Sequence, residues 1–346
     1  MTTPGGDLSG GLDPGLDYFL PGPPEHPGFR DSASLWIMND DGEIAFPRIT
    51  IDAVGEDWEH PRIQINAALA DGRALRVWSG EAAHAPFDER GLAAIRGAGP
   101  LRFQCLEPLR RWRVSFAGQA LQTTSAAQLG DLRDGETVDM AFDVEARMAA
   151  PPWLMGGMTA EAARKMKSAD AGALMGGLRY EQLCRLQGRA SIAGREYPIA
   201  GTGMRVRRQG VRNMGAATGH CQHSALFPSG RAFGAIAFAP GADGSQSFNE
   251  GFVYGGEGAL SPARVLSAPW MTQLGLAGED ASLVLHTPLG EIAIAGETML
   301  STFDHHLFEM AGNSVLHQGV ARYTWDGEET IGLIERCTLR ERLRTA

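Results

Sequence analysis

An arginine-dense segment bracketed by glycines, residues 201–212, is the first part of the chain whose side chains could do chemistry. If this segment is extended, alternate side chains share a face, so Arg205 and Arg207 point to one side and Arg208 to the other. Guanidinium groups bind carboxylates and phosphates through paired hydrogen bonds. The segment predicts either a site where Arg205, Arg207, Arg208 and Arg212 bind a ligand carboxylate or phosphate, or a network of ion pairs within the protein, because buried arginines are usually paired.

Two histidines in the segment His220-Cys-Gln-His223 are candidates for acid–base catalysis. In a strand their rings point to opposite faces, so they cannot share one metal ion, and no second Cys/His cluster has a matching spacing. We therefore expect no metal site here. Imidazole titrates near neutral pH, which suits His220 or His223 to proton transfer. The alternative is a histidine at the rim of a domain, hydrogen-bonded to backbone.

Two glutamates beside tyrosines are the remaining catalytic candidates. Glu181 follows Tyr180, and Glu250 precedes Tyr254 by four residues. A carboxyl group in an apolar cavity has a raised pKa and can act as a general acid. The alternative for each glutamate is an ion pair with one of the arginines. The predicted substrate-binding residues are Tyr180, Arg205, Gln209, Arg212 and Tyr254.

Several common catalytic motifs are missing from the sequence. It contains no GxSxG, GxGxxG, P-loop or HExxH pattern. This disfavours covalent hydrolysis, dinucleotide redox chemistry and nucleotide hydrolysis. We expect a protein that works without a cofactor.

The elements that carry these residues are short strands. Runs with apolar–polar alternation are separated by pairs such as Asp41-Gly42, Asp71-Gly72 and Ala193-Gly194, which are typical of tight hairpins. Regular strand spacing with turn residues between the strands favours antiparallel barrels over βαβ units. The sequence predicts an all-β protein of two lipocalin-like antiparallel β-barrels, each of a size suited to a closed barrel.

One helix interrupts the strand pattern. Pro151-Pro152 marks a boundary, Thr159 can cap a helix that runs through Glu161 to about Ala173, and glycines follow it. We interpret this helix as the linker between the barrels. The predicted domains are an extended lead-in over residues 1–30, a first barrel over 31–150, a helical linker over 151–177 and a second barrel over 178–346.

Composition narrows the class of protein. The 346 residues are 43% hydrophobic and 21% charged, an ordinary globular composition. The net charge of −10 argues against a nucleic-acid binder, because phosphate repels an acidic surface. No apolar run is long enough to insert stably in a membrane. Four widely spaced cysteines, and an N-terminus without a basic and then apolar pattern, indicate free thiols and a cytoplasmic location.

Several motifs together resemble the carotenoid 1,2-hydratase (hydroxyneurosporene synthase) and AttH-like superfamily of double-calycin proteins. They are Arg111-Trp-Arg113, Arg179-Tyr-Glu-Gln182, the stretch from Gly201 to Arg212, Glu250-Gly-Phe-Val-Tyr254 and Ala321-Arg-Tyr-Thr-Trp-Asp-Gly327 with Ile334-Glu335. The resemblance covers most of residues 33–340. It implies two lipocalin-like barrels with an apolar cavity, and relatives that include hydratases, cyclases and Diels–Alderases.

The chain departs from this family at one motif. The family has Arg-Asp-His-Ser-Trp-Gly-x-Arg, whereas this chain keeps Arg205, Gly210 and Arg212 but has Val-Arg-Arg-Gln in the middle. The Asp-His pair that would supply protons is missing, so Glu181 or Glu250 would have to replace the aspartate.

The resemblance and the candidate residues lead to two functional hypotheses. The first is a hydratase-like lyase, isomerase or cyclase that acts on a terpenoid, steroid or polycyclic aromatic molecule by acid–base chemistry in an apolar cavity. The second is a non-catalytic carrier of a hydrophobic acid. Both make a hydrophobic small molecule the partner, and both leave open whether the protein is a monomer or a homodimer.

Overall fold

The protein is almost entirely antiparallel β-sheet, as the alternating pattern predicts. The computed structural model describes residues 7–132, 134–166, 177–212, 219–239, 247–305 and 313–344. Its strands are β1 Phe29–Asn39, β2 Ile44–Val54, β3 Arg62–Leu69, β4 Arg73–Gly80, β5 Ile95–Ala98, β6 Leu101–Glu107, β7 Arg111–Thr124, β8 Glu136–Met148, β9 Trp153–Leu154, β10 Leu178–Ile192, β11 Arg195–Val211, β12 Gly219–Leu226, β13 Ala232–Phe238, β14 Asn249–Tyr254, β15 Ser261–Ser267, β16 Leu283–Thr287, β17 Gly290–Asp304, β18 Ser314–Trp325 and β19 Glu328–Leu339. The helices are α1 Ser125–Leu129 and α2 Ala160–Met166, with 3-10 turns at Pro14–Asp17, Gly55–Asp57 and Arg340–Arg342.

The first barrel is a sheet that closes on itself. Its strand order is β4-β3-β2-β1-β11-β10-β8-β7, and the pairing of β4 with β7 joins the two ends. Strands β5 and β6 extend the sheet beyond the first half of β7, and β9 pairs with β10. The predicted hairpin at Ala193-Gly194 connects β10 to β11, and both turn residues have positive φ (49° and 80°).

The predicted domain division at residue 178 is corrected by this strand order. β10 and β11 follow the helix in sequence, but β1 pairs along its whole length with residues 201–211 of β11, and β10 pairs with β8. Without them the first barrel would have two open edges, which explains why they belong to it. The boundary between the barrels therefore falls between Val211 and Gly219.

The second barrel is a simple meander. Strands β12 to β19 pair in sequence order, and β19 pairs with β12 to close the ring. An apolar core that includes Phe227, Phe233, Tyr323 and Trp325 fills part of its interior.

The predicted helix exists in shorter form and is not a linker between barrels. Thr159 Oγ1 accepts a hydrogen bond from Ala162 N, which caps α2 as expected. The predicted continuation to Ala173 lies outside the described residues. Because α2 lies between β9 and β10, which both belong to the first sheet, it is an excursion from the first barrel.

The N-terminal segment is an integral part of the first barrel, unlike the predicted extended lead-in. Asp17 is fully buried and its carboxylate accepts hydrogen bonds from Leu109 N (2.6 Å), Trp112 Nε1 (2.8 Å) and the hydroxyl of Tyr180. Arg205 Nη1 donates to the same carboxylate at 2.5 Å. Burial alone would raise the pKa of Asp17, but Arg205 and these donors hold it below its usual value.

A second buried carboxylate repeats this arrangement nearby. Asp31 accepts from Arg207 and from Arg96, each at 2.8 Å. The guanidinium carbon of Arg207 lies 4.4 Å from the centre of the Phe19 ring. The N-terminal segment thus supplies both anions and an aromatic ring for the arginines inside the first barrel.

The two barrels pack side by side through a shared apolar layer. Trp36, Met204 and Val206 of the first barrel belong to one buried cluster with Leu226, Ile236 and Leu333 of the second. Across the same interface Asn66 Nδ2 donates to Gln318 Oε1 at 2.8 Å. Burial of large apolar side chains contributes roughly 1.5–3 kcal/mol each, so this layer fixes how the barrels sit together.

Two further observations concern the whole chain. All four cysteines are buried free thiols. Among the described residues no helix is both long and apolar enough to span a membrane.

Replacing Asp17 by alanine tests the role of the N-terminal segment. We expect Asp17→Ala to lower the free energy of unfolding by about 3–5 kcal/mol, because it leaves Arg205 buried and uncompensated. Urea unfolding followed by tryptophan fluorescence measures this change. The control is Asp57→Ala, whose side chain is 58% exposed and whose loss we expect to cost less than about 0.5 kcal/mol. Equal stability of the two variants would contradict the buried placement of Asp17.

Candidate functional site

A polar cleft between the two barrels brings together several charged and titratable side chains. Its charged and titratable lining consists of Arg48, Arg179, Arg208, Arg212, His220 and Glu335. Its apolar lining consists of Trp36, Val206, Ile236 and Phe238. The cavity has a volume of about 40 Å³, enough for a few water molecules or one small functional group.

The alternation of side chains along β11 creates this site. Arg205 and Arg207 point into the first barrel, where they bind Asp17 and Asp31. The intervening side chains point outward, which places Val206 and Arg208 in the cleft.

His220 and Glu335 form a hydrogen-bonded dyad in the cleft. His220 Nε2 lies 3.0 Å from Glu335 Oε1, and Gln318 Nε2 donates to the other carboxylate oxygen at 2.5 Å. Burial alone would raise the pKa of Glu335, but the hydrogen bond from His220, together with the guanidinium of Arg48, holds it well below its usual range. Glu335 is therefore an anion that only accepts, so the shared proton lies on His220 Nε2 and the second ring nitrogen, Nδ1, is left for the cleft.

Unpartnered polar atoms concentrate on the residues that line the cleft. Of the sixteen buried side-chain atoms without a hydrogen-bond partner among the described residues, five belong to this lining, namely Trp36 Nε1, Arg48 Nε, Arg179 Nε, Arg208 Nε and His220 Nδ1. Buried polar groups are nearly always satisfied in folded proteins, and unsatisfied ones mark sites where something else binds. Four of the five atoms are donors, so the cleft is suited to a group that accepts hydrogen bonds.

The predicted residue Glu181 lies directly behind this cleft. Its two carboxylate oxygens accept from Gln222 Nε2, each at 2.9 Å, and it forms a short ion pair with Arg179. Glu181 therefore forms an ion pair with an arginine, which was the alternative to a catalytic role. Its position lets it orient Arg179 and Gln222 without facing the cavity itself.

The structure separates the predicted substrate-binding residues. Arg212 lines the cleft beside His220. Tyr180 and Arg205 lie inside the first barrel on Asp17, and Gln209 Nε2 lies 3.4 Å from Asp31. Three of the five residues, Tyr180, Arg205 and Gln209, therefore belong to a polar network inside the protein and do not line the cleft.

Glu250 and Tyr254 lie on β14, away from His220. Glu250 accepts hydrogen bonds from Trp153 Nε1 (3.0 Å), Gly156 N (2.6 Å) and Met158 N (2.9 Å), which anchors the segment before α2 to the second barrel. Burial raises the pKa of Glu250, as predicted for an acid, although these donors oppose the rise. Tyr254 packs in the shared apolar layer.

His223 faces the interior of the second barrel, opposite to His220, as the strand spacing predicts. Its Nδ1 lies 2.7 Å from the hydroxyl of Tyr323, which donates to the carbonyl of Leu333. Its Nε2 lies 2.9 Å from Cys221 Sγ. Because the Tyr323 hydroxyl donates its proton to the carbonyl of Leu333, it can only accept from His223. Nδ1 of His223 therefore donates to Tyr323, and Nε2 accepts from the thiol of Cys221.

The Cys221–His223 pair is not a reactive thiolate pair. Burial raises the pKa of Cys221 to about 12, and burial together with Arg336 lowers the pKa of His223 to about 3. Both groups are therefore neutral near pH 7. Because a thiolate is the nucleophilic form of cysteine, this pair has a structural role.

Three cleft residues were not among the predicted site residues. Arg208 was one of the four arginines considered as ligand binders but was left off that list, and Arg48 had no distinguishing pattern. Glu335 was noted only as part of a strand motif. Its pairing with His220 spans 115 residues, so only the closure of the second barrel reveals it.

The charge state of His223 makes the stability of the protein depend on pH. The pKa of His223 is depressed in the folded chain, so below pH 6.5 the unfolded state binds a proton that the folded state does not. We expect the free energy of unfolding to fall with pH below 6.5, with His223 contributing about 1.4 kcal/mol per pH unit. Urea unfolding between pH 7.5 and 5 measures the slope.

The matched variants for this prediction are His223→Gln and His60→Gln. The slope of His223→Gln should be shallower by that amount, whereas His60→Gln, at an exposed ring, should keep the wild-type slope. Identical slopes for wild type and His223→Gln would contradict the neutral, buried imidazole.

Several solved structures share the fold of this chain. The crystal structure of a candidate AttH protein from Nitrosomonas europaea has a TM-score of 0.56 at 16% identity, over 89% of this chain and 91% of that protein. CghA in complex with Sch210972 has a TM-score of 0.54 at 11% identity, over 96% and 97%. Kievitone hydratase from Nectria haematococca has a TM-score of 0.51 at 11% identity, over 97% and 95%.

These similarities confirm the predicted double-calycin, lipocalin-like fold. At such low identity they concern the fold alone. No curated protein matches the sequence. A family model does match it, over residues 23–340. The chain belongs to the DUF7064 family, which is described as a domain of unknown function.

Proposed function

We propose that the cleft between the barrels is the active site of a cofactor-independent lyase or isomerase that acts on an apolar small molecule by proton transfer. The observation that carries this proposal is the His220–Glu335 dyad. Glu335 fixes the ring and its tautomer through Nε2, while Nδ1 is buried and has no partner among the described residues. A carboxylate on one imidazole nitrogen makes the other a better base.

The surrounding charges suit one type of reaction. His220 Nδ1 would remove a proton from a carbon next to a carbonyl group, and the electron pair would move to the carbonyl oxygen as an enolate. The guanidiniums of Arg208 and Arg179 would stabilise the negative oxygen, as preorganised donors do in other enzymes. Return of the proton to a different carbon gives an isomerase. Expulsion of a β-hydroxyl group, protonated by His220, releases water and gives a lyase.

The walls and the fold support the same proposal. Trp36, Val206, Ile236 and Phe238 surround the polar groups with apolar surface, which strengthens electrostatic interactions by excluding water. Kievitone hydratase, whose name states a hydratase activity, shares the fold. The missing Asp-His pair of the resembled family is then replaced by groups that lie on β12 and β19 instead of β11.

A binding protein without turnover is the second candidate. It is favoured by the excess of guanidinium groups over carboxylates in the cleft, which would hold an acidic molecule without any chemistry. The same cleft serves both functions, so only an assay of turnover separates them.

Deuterium incorporation tests the catalytic proposal without advance knowledge of the natural substrate. Purified protein in D₂O would be incubated with apolar β-hydroxy and α,β-unsaturated ketones, esters and acids, and products would be followed by mass spectrometry. We expect deuterium in at least one compound or loss of water from it. His220→Gln should slow this by about 10²–10⁴-fold, the usual contribution of a general base.

The controls separate loss of the base from loss of the fold. Glu335→Gln should reduce the rate less than His220→Gln, since it disturbs the orientation of the ring but leaves the base in place. His60→Gln should have the wild-type rate, because its ring is exposed and distant in the first barrel. Wild-type turnover in His220→Gln would refute the assignment, and retention of compounds without any turnover would favour the binding protein.

A further inference from the structure

We infer that the ligand of the cleft carries a carboxylate on an apolar body, and that Arg208 is the residue that binds this carboxylate. The inference rests on the proposed site and names its substrate class. It depends on charge and donor geometry alone, so it holds for an enzyme and for a binding protein.

The first observation is the excess of positive charge. Four guanidiniums, those of Arg48, Arg179, Arg208 and Arg212, line the cleft. Two carboxylates accompany them, Glu335 in the lining and Glu181 behind Arg179. The lining itself therefore holds more guanidinium groups than carboxylates, and this balance favours a ligand anion.

The second observation is the position of Arg208 in the sheet. Across the β10–β11 pair Arg208 lies directly opposite Arg179, and across the β1–β11 pair it lies opposite Ser32. Like charges at directly opposite positions destabilise a sheet. Among the described residues no carboxylate lies within ion-pair distance of Arg208, and its Nε is buried without an acceptor.

Burial lowers the pKa of Arg208 well below its ordinary value, and the positive charges of Arg212 and Arg179 lower it further. Arginine nevertheless keeps its proton in proteins. A partly buried guanidinium that lies near those of Arg212 and Arg179, with Asp52 as the opposing charge, is therefore a cost to the ligand-free fold. Residues that destabilise the free protein in this way are typical of binding sites.

The third observation concerns the shape of the ligand. A volume of about 40 Å³ has room for a group of the size of a carboxylate. Two further donors in the lining, Arg48 Nε and Trp36 Nε1, are also buried without an acceptor. The apolar side chains of Val206, Ile236 and Phe238 would contact the part of the ligand next to the carboxylate.

Calorimetric titration tests this inference with defined probes. Full-length protein would be titrated with decanoate and 2-naphthoate, with the methyl ester of each, and with inorganic phosphate. We expect at least one carboxylate to bind at least tenfold more tightly than its ester. Arg208→Gln should remove that preference, and Arg113→Gln, an exposed arginine paired with Asp143, should retain it.

Thermal unfolding adds a readout that a structural arginine would not give. We expect Arg208→Gln to raise the midpoint of the ligand-free protein, because it removes a like-charge contact. Arg205→Gln, which breaks a buried ion pair, should lower it. The bound carboxylate should raise the midpoint of wild type but not of Arg208→Gln.

Several results would overturn the inference. They are equal affinity for acid and ester, no binding of either carboxylate, a carboxylate preference that survives in Arg208→Gln, or phosphate binding as tight as that of the carboxylates. A failure of the catalytic proposal is separate. His220→Gln should still bind the carboxylate, so turnover that survives in this variant refutes the base and leaves the carboxylate site intact.

Discussion

The structure depends on the two-sided nature of β11, whose alternate side chains enter different environments. On one side Arg205 and Arg207 are buried inside the first barrel, and each has a buried aspartate from the N-terminal segment. On the other side Arg208 faces the second barrel without a carboxylate among the described residues. We propose that the ligand binds on this second side, so that one strand carries both a buried internal network and the proposed binding residue.

The two barrels have different tasks in this account. The first is a rigid wall, because a packed core and the Asp17 and Asp31 networks occupy its interior. The second supplies His220 and Glu335 from neighbouring strands that face that wall. A site built on paired strands of two barrels holds its groups more firmly than one built on loops. We therefore propose that the functional groups lie between the barrels, in the cleft that His220 and Glu335 line.

Sequence patterns predicted the local features well. The hairpin at Ala193-Gly194, the alternation along β11 and the opposite orientation of His220 and His223 all follow from turn chemistry and the two-residue period of strands. What the sequence could not predict are contacts between distant positions. Asp17 and Arg205 are 188 residues apart, and only barrel closure and strand register bring them together. The domain boundary was misplaced for the same reason, since strand partners are not encoded locally.

The central claim is that Glu335 holds the proton of His220 on Nε2 and leaves Nδ1 facing a cleft that binds an acidic ligand. Nitrogen-15 NMR of the imidazole rings, assigned with His220→Gln, tests it most directly, because the two nitrogens have well-separated shifts when only one carries a proton. The account predicts a protonated Nε2 and an unprotonated Nδ1 near neutral pH, with Nδ1 changing when decanoate or 2-naphthoate is added. A proton on Nδ1 in the neutral ring, or a spectrum of His220 that is unaffected by a carboxylate that binds, would contradict it.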